Sequence, residues 1–416
     1  MERKQVVITG LGTVNPLGHG VEDTWEALSA GRSGIDAIQA FDTEGYACKI
    51  AGEVKNFDPG IWIDRKEVRK LGRFSQFALA GAVQAVEDAG LMHKDGADPE
   101  RVGVILGNGI GGFEVAETGV RRLMSQGPRG VPPMTIPKLI INEGAANIAI
   151  RYGFYGPCYA VVTACTSGAD AIGTALNSIR AGQIDVAISG GMEAAVTPFG
   201  ISCFIRLTAL STKYNDKPPI ASRPFDKDRD GFVMGEGSGI LVLEEKEHAL
   251  NRGARIYAEV AGYGGSCDAY HLTSPDSEGA GPARAMKWAL KDAMMEASEI
   301  GYLNAHGTST PTNDPIETTA IKKAFGNHAY KMPVSSTKSM TSHLVGGAGG
   351  LEAIISIMAL REGFIPPTIN LDDPDENCDL DYVPHVGRKA SLKAVMSNNL
   401  GFGGHNGALI FKKFKE

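Results

Sequence analysis

Apolar residues along the chain gather in short runs that end in glycine. VVITGLG at 6–12, VGVILGNG at 102–109, DVAISGG at 185–191, GILVLEE at 239–245 and KAVMSNNLGFGG at 393–404 are each too short for a long helix. Bounded by glycine, they read as buried strands. Between them lie stretches with helical spacing, among them Phe74 to Ala89 and Gly168 to Ala181. The alternation predicts an α/β protein with largely parallel sheets. A weak duplication runs through the pattern. Glu87-Asp88-Ala89-Gly90 ends a helix before VGVILGNG, and Lys291-Asp292-Ala293-Met294 ends one before GYLNAHGT at 301–308. Each is followed by a small-residue helix, from Ala169 onward and from Gly346 to Leu360, and then by a strand entering a glycine-rich turn. The reading is of two similar halves, 1–252 and 253–416, with their boundary near Lys246 to Tyr257.

Composition narrows this. With 416 residues the chain can bury two cores or one large fused unit, and 43% hydrophobic with 21% charged residues is ordinary for a globular protein. The 53 glycines therefore need a structural reason. A net charge of −7, with both signs interspersed, argues against nucleic acid as a partner. The six cysteines form no C-x-x-C pair, so neither a zinc knuckle nor a disulfide framework is signalled and a reducing cytoplasm is expected. An apolar strand begins at Val6, leaving no room for a signal peptide, and no run of eighteen apolar residues appears, so no membrane partner is expected.

The chemistry gathers in four places. In Val161-Val162-Thr163-Ala164-Cys165-Thr166-Ser167-Gly168 a β-branched run stops at a cysteine and a small-residue helix begins. A thiol at such an elbow meets unpaired N–H groups and the positive end of the helix dipole, which favour thiolate. Asn304 to Asp314, NAHGTSTPTND, places His306 where a strand opens into a hydroxyl-rich loop suited to a polar linear ligand. Ser335 to His343 leads into Leu344-Val345-Gly346-Gly347-Ala348-Gly349-Gly350-Leu351-Glu352. Each glycine there loses about 1 kcal/mol of helix propensity against alanine, so something must approach that backbone closely. Gly401-Phe402-Gly403-Gly404-His405-Asn406 is a tight turn able to aim an N–H inward. GNGIGG at 107–112 superficially matches a dinucleotide fingerprint, but no acidic residue on a following strand supports it.

One cysteine and two histidines suit several classes of protein. A papain-type protease would carry its signature around a cysteine near the mature N-terminus, and this cysteine lies mid-chain. A thiolase would need a second cysteine where His343 stands. A scaffold subunit derived from such an enzyme would have lost its nucleophile, and Cys165 is present.

TACTSG around Cys165, NAHGTSTPTND around His306, VSSTKSMTSH across Lys338 and His343, and NLGFGGHNGALIF near the C-terminus together resemble the β-ketoacyl-acyl-carrier-protein synthases. RPFDKDRDGFVMGEGSG at 223–239 and IPPTINLDDPDENCDLDYVPH at 365–385 extend the resemblance, which runs from about residue 4 to 413 and is nearest the chain-elongating synthase II type. It implies a thiolase-like fold, duplicated halves in a five-layer α-β-α-β-α sandwich, and a homodimer. The implied reaction is decarboxylative condensation of an acyl-enzyme with malonyl-acyl-carrier-protein in type II fatty-acid elongation. A polyketide or specialised-lipid ketosynthase, or a non-decarboxylating thiolase-like acyltransferase, is the alternative.

In that resemblance Cys165 carries the acyl group, His306 and His343 contact the malonyl thioester, and Lys338 organises the second histidine. The N–H groups of Cys165 and Phe402 form an oxyanion hole. Thr308 and Thr310 match positions that bind phosphopantetheine, which arrives on the carrier so that no cofactor is required. Ile110 and Phe204 match the acyl pocket and Phe402 its gate. Asn304, Glu352, Ser397 and Asn398 match a structural K+ or Na+ site. Lys66, Arg69 and Lys70 match a docking surface for the acidic carrier protein. The chain departs from the pattern at Ser342, which replaces the usual glycine before the second histidine, at Leu400, which replaces a frequent phenylalanine, and across Phe204 to Ala209, where small residues are commoner.

Overall fold

The computed structural model of the chain describes residues 3–91 and 96–414. In the first half, β1 (Val6–Val14), β2 (Val102–Gly107), β3 (Cys158–Val161), β4 (Val186–Ala194) and β5 (Glu236–Glu245) lie in the spatial order β1-β5-β4-β2-β3. In the second, β6 (Ala258–Cys267), β7 (Leu303–Asn304), β8 (Val334–Ser335), β9 (Ala394–Gly401) and β10 (His405–Lys412) repeat it as β6-β10-β9-β7-β8. The directions repeat too. First and fifth strands, and fifth and fourth, are antiparallel, while fourth and second, and second and third, are parallel. A short antiparallel contact, Val7 opposite Glu259 and Ile8 opposite Ala258, joins the two sets.

The sheets are therefore mixed, not largely parallel as the alternation suggested. The last strand of each half inserts beside the first and reverses direction. In the second half it does so through the turn at 402–404, with no crossover helix for the periodicity to show. KAVMSNNLGFGG ends one arm of this hairpin, and its partner β10 is a strand that the glycine-terminated runs did not mark.

Period-2 alternation sorts side chains into layers. Ile105, Ala187, Leu241 and Leu243 point to the centre, whereas Val104, Ile188, Ile240 and Val242 meet α1 (Arg73–Asp88) and α2 (Glu143–Tyr152). In the other sheet Val395, Leu409 and Phe411 point to the centre, while Ala394, Met396, Ala408 and Ile410 pack with α4 (Ala280–Ala293) and α5 (Asn313–Phe325). The central layer is α3 (Ser167–Arg180) against α6 (Ala348–Glu362). Every residue of α6 from Ala348 to Leu360 is buried, as befits a helix covered on all sides. The order is thus helix, sheet, helix, sheet, helix, the thiolase-like arrangement.

The glycines of the 346–350 segment have their explanation here. A Cβ on Gly349 would lie 2.4 Å from the Ala169 nitrogen, and one on Gly350 would lie 2.2 Å from the Gly239 carbonyl oxygen. The two central helices touch backbone to backbone at their N-terminal ends. Among the described residues no helix is long and apolar enough to cross a membrane.

Candidate active site

Cys165 sits where the sequence placed it, between β3 and α3 in a single 3₁₀ turn, Ala164–Thr166. Ala164 takes a left-handed φ of 52°, a conformation that costs a non-glycine residue about 1–2 kcal/mol and turns the chain sharply. Ser167 straps the elbow. Its hydroxyl accepts from the Thr163 N–H at 2.9 Å and donates to the Ala164 carbonyl at 2.6 Å. The Gly401–Phe402 turn closes over it from the second half, so near that a Cβ on Gly401 would lie 3.2 Å from the Cys165 nitrogen. The Phe402 N–H is near enough to the sulfur to pull its pKa down. The two segments whose N–H groups the resemblance assigns to an oxyanion hole therefore meet at this thiol.

The thiol itself differs from the expectation. Burial pushes it up to about 12, against the pull of the Lys338 charge and the Phe402 N–H. The pull of the elbow toward thiolate is outweighed by the loss of water around the sulfur, so the resting group is the thiol.

His306 and His343 are buried beside it. Sγ of Cys165 and a ring nitrogen of each histidine lie within 4.8 Å of one another, and the two imidazoles meet edge to face with centroids 5.2 Å apart. Burial holds both histidines well below their ordinary pKa, and the Lys338 charge pushes them the same way. Both are neutral. The Lys338 ammonium donates to His306 Nδ1 at 3.3 Å and to the buried Glu352 carboxylate, so the hydrogen of His306 sits on Nε2. Lys338 thus touches the first histidine, not the second as the resemblance implied, and reaches His343 only through its charge.

His343 is held by its backbone. Its N–H donates to the Val233 carbonyl at 2.9 Å and its carbonyl accepts from Gly235 at 2.8 Å, while its ring lies edge to face on Phe232. Ser342 enters with a left-handed φ of 63°. Its hydroxyl occupies a slot left by Gly52 and Gly235, each of which would meet it at 2.1 Å if it carried a Cβ. Those two glycines are how this chain accommodates a side chain in that segment.

A cavity of about 420 Å³ opens on these groups, lined among others by Cys165, His306, His343, Phe204, Phe402, Thr308 and Thr310. Thr308 and Thr310 share a hydroxyl contact of 3.1 Å, and the rings of Phe204 and Phe402 stack with centroids 6.4 Å apart. Ile110 packs into the same apolar cluster as Cys165 and Phe204 but does not line the cavity. Lys66, Arg69 and Lys70 are exposed at a short helix, Arg65–Val68, and Lys70 is paired with Glu67 at 2.8 Å. The GNGIGG turn is already occupied by side chains, since Gly109 donates to Glu193 at 2.9 Å and Ile110 and Gly111 donate to Asn108.

The four residues matched to a cation site do not all converge. Glu352 accepts from Lys338 and from Asn399 at 2.6 Å, whereas Asn398 turns to Glu317 at 3.1 Å. Asn304 and Ser397 are register partners on β7 and β9, and Asn304 Oδ1, Ser397 Oγ, Asn399 Oδ1 and Ser356 Oγ are buried with no hydrogen-bond partner among the described residues. Orphaned oxygens are the kind of group a monovalent cation would take, and Asn399 and Ser356 would then join Asn304 and Ser397 as its holders.

Two carboxylates went unread in the sequence. Glu317 accepts from the N–H groups of His306 and Gly307 at 2.8 and 2.7 Å and fixes the histidine loop. Its only signal was an acidic residue in the first turns of α5. Glu193 accepts from Gly109 and from Gly346 at 3.2 Å, tying the acyl-pocket segment to the His343 segment. Burial raises each to about 7.

The doubled strand path, with a thiol at the head of one central helix and a histidine before the head of the other, places the chain in the thiolase-like class. Residues 3–249 match the Beta-ketoacyl synthase, N-terminal domain, and 257–372 the Beta-ketoacyl synthase, C-terminal domain. The chain belongs to the β-ketoacyl synthase family. It is 50% identical over 415 residues to a 3-oxoacyl-[acyl-carrier-protein] synthase 2 of Synechocystis sp., covering 100% of this chain and 99% of that one. It is 51% identical over 413 residues to the synthase of the same name in Coxiella burnetii, covering 99% of each. Among solved structures, the ishigamide ketosynthase/chain length factor superposes with a TM-score of 0.93 at 40% identity, over 99% of this chain and 100% of that chain. A type II polyketide ketosynthase bound to its acyl-carrier protein and a hexaketide superposes with a TM-score of 0.92 at 34% identity, over 100% of each chain.

The arrangement around Lys338 carries a prediction. Both histidines are held neutral, so if they serve decarboxylation of a malonyl thioester as neutral donors, that step should be lost only as pH falls through their depressed pKa values. Lys338→Met removes the charge that adds to that depression. The acid limb of the pH–rate profile for CO2 release is expected to move to higher pH; an unmoved limb in a folded variant would show that Lys338 does not set the histidine charge.

Proposed function

We propose that the protein joins an acyl group held on Cys165 to the two-carbon unit of a malonyl-acyl-carrier-protein, giving a 3-oxoacyl-acyl-carrier-protein and CO2 in type II fatty-acid elongation. The observation that carries this is the meeting of one thiol and two neutral imidazoles within 4.8 Å on a cavity lined by two paired threonines. Identity near one half to the synthase 2 relatives, against 40% to the ishigamide ketosynthase, favours fatty-acid elongation over polyketide assembly.

The steps follow from charge. Attack of Cys165 on the acyl thioester forms the Sγ–acyl bond, breaks the carrier's C–S bond and leaves the thiol proton with the departing carrier. The oxyanion that forms on the way meets the Cys165 and Phe402 N–H groups, and a positioned donor of this kind typically contributes roughly 3 kcal/mol. Malonyl-carrier then enters, with Thr308 and Thr310 bonding its phosphopantetheine arm. Breaking its C–CO2 bond leaves an electron pair on a thioester enolate. His306, through Nε2–H, and His343 donate to that enolate oxygen; being neutral, they stabilise it without protonating it away. The enolate carbon attacks acyl-Cys165, and a second oxyanion forms in the same hole and collapses with loss of the Cys165 thiolate. That thiolate takes a proton from solvent to restore the thiol, the first proton having left with the carrier. Phe402, stacked on Phe204, would gate the acyl channel, with Ile110 in the apolar cluster that holds Cys165 and Phe204 but outside the cavity lining.

Mass spectrometry tests the central step. Wild type incubated with an acyl-carrier should gain one acyl mass at Cys165, and Cys165→Ala should gain none and form no 3-oxoacyl product. Normal condensation by that variant would remove the proposal.

The carrier would dock on Lys66, Arg69 and Lys70, whose exposed positive charges suit an acidic partner. Changing all three to glutamate is expected to raise the apparent KM for the carrier about tenfold while leaving small thioesters nearly unaffected. Equal effects on both substrates would count against docking there.

The assembly would be a cytoplasmic homodimer built of halves divided near 252/253. The edge strand β3 leaves Cys158 and Tyr159 exposed, with Val162 and Tyr155 exposed nearby, and such an edge invites pairing with a second copy. The orphaned oxygens near Glu352 would hold a structural K+ or Na+. Light scattering should give about twice the 43.9 kDa chain mass. Melting should occur at lower temperature when K+ and Na+ are replaced by a cation too large to enter; a monomer, or no change in melting, would remove the corresponding statement.

A further inference from the structure

The strained elbow is held by more than Ser167. One carboxylate oxygen of Asp170, Oδ2, faces the hydroxyls of both threonines that bracket the nucleophile, accepting from Thr163 at 2.6 Å and lying 3.0 Å from that of Thr166, which it shares with the Thr163 carbonyl at 2.8 Å. The other, Oδ1, accepts from the Tyr263 hydroxyl at 2.7 Å. Tyr263 lies on β6 in the second half. Its ring reaches α3 because position 173 is glycine, where a Cβ would lie 2.4 Å from the ring. Gly407 on β10 abuts the same carboxylate, so that a Cβ there would lie 3.0 Å from Oδ1. One side chain thus clamps the residues two before and one after Cys165 and anchors the clamp across the interface between the halves. Burial raises the Asp170 carboxyl, while the three hydroxyl donors and His405 lower it, with burial the larger effect.

We propose that Asp170 is a positioning residue for acyl transfer: by holding Thr163 and Thr166 together against Tyr263 it fixes the direction in which the Cys165 sulfur and N–H face the thioester. This rests on the reading of Cys165 as the acyl carrier. Acylation needs the sulfur and the oxyanion donor correctly aimed at once, whereas malonyl decarboxylation relies on the two histidines, which Asp170 does not touch. A loosened elbow therefore slows the first half-reaction and spares the second. Asp170 also stands in the first turn of α3, where a carboxylate favours the helix by its charge alone. Asparagine loses that charge but keeps an oxygen able to accept from both threonines, so it separates the two roles.

The experiment compares wild type, Asp170→Ala, Asp170→Asn and Tyr263→Phe in three measurements: single-turnover acylation of Cys165 by an acyl-carrier, CO2 release from malonyl-carrier, and the pH midpoint of alkylation by iodoacetamide. In Asp170→Ala acylation should fall about tenfold, ~1.4 kcal/mol, with CO2 release within about twofold and the alkylation midpoint unmoved. Asp170→Asn should recover most of the acylation rate, and Tyr263→Phe should show the same selective loss in smaller measure. Equal losses in both half-reactions, failure of asparagine to improve on alanine, or a moved alkylation midpoint would each overturn the positioning role. Wild-type acylation is the control that keeps the two readings apart: with wild type acylated, any of those results removes the role of Asp170 and leaves the condensing function standing.

Discussion

The close crossing of the two central helices is the constraint from which the site follows. α3 begins just after Cys165 and α6 begins five residues after His343, and the two can place these residues on one cavity only because their N-terminal turns meet without side chains between them. The contacts of Gly349 on Ala169 and of Gly350 on Gly239 are backbone contacts that no larger residue permits. Each glycine costs helix propensity, about 1 kcal/mol against alanine in an exposed helix. The loss is offset by burial of a helix that is enclosed on every side. The same crossing leaves two helix N-termini converging where negative charge develops.

A second tier of buried charge holds the histidines. Lys338 and Glu352 form a pair inside the protein, Glu317 accepts with both oxygens from backbone N–H groups of the loop that carries His306, and Glu193 accepts through Oε2 from Gly109 and from Gly346, which follows His343. Such groups are costly to bury and gain little net stability from pairing. Their effect is on geometry and on charge. Lys338 makes His306 a donor at Nε2 and adds to the burial that keeps both rings neutral. A buried carboxylate with two N–H donors fixes a loop more firmly than packing of small residues would.

Much of this was legible in the chain. The glycine-ended apolar runs marked strands β1, β2, β4, β5 and β9 to within about three residues, because a strand buried on both faces leaves an uninterrupted apolar signature, and helical spacing marked α1 and α3 to within one. Cys165, His306 and His343 stood out because each lies where an element opens into a loop. What could not be read were features with no local pattern. β8 is two residues long and β6 is punctuated by glycine, so neither periodicity nor length identified them, whereas the equally short β7 was read only as the strand opening into the His306 loop. The partner of Lys338 depends on a long-range approach of Glu352 and His306, and no spacing distinguishes His306 from His343 as that partner. Glu193, Glu317 and Asp170 looked like ordinary acidic residues at element ends. The thiol state was misread because the elbow is a local feature, whereas the desolvation that outweighs it belongs to the whole fold.

The duplication is broken where the chemistry is, and the break explains why the halves need each other. Between the fourth and fifth strands the second half has only the turn at 402–404, while the first half runs through 195–235. The short turn reaches across to bring the Phe402 N–H near Cys165, a residue of the first half. The long connection reaches the other way: Val233 and Gly235 hold the backbone of His343, Phe232 supports its ring, and Phe204 walls the cavity. Asp170 and Tyr263 add a third link in the same sense. Each half thus supplies backbone and side chains that hold the candidate residue borne by the other, and the symmetry of the strand path is lost in the connections that make those contacts.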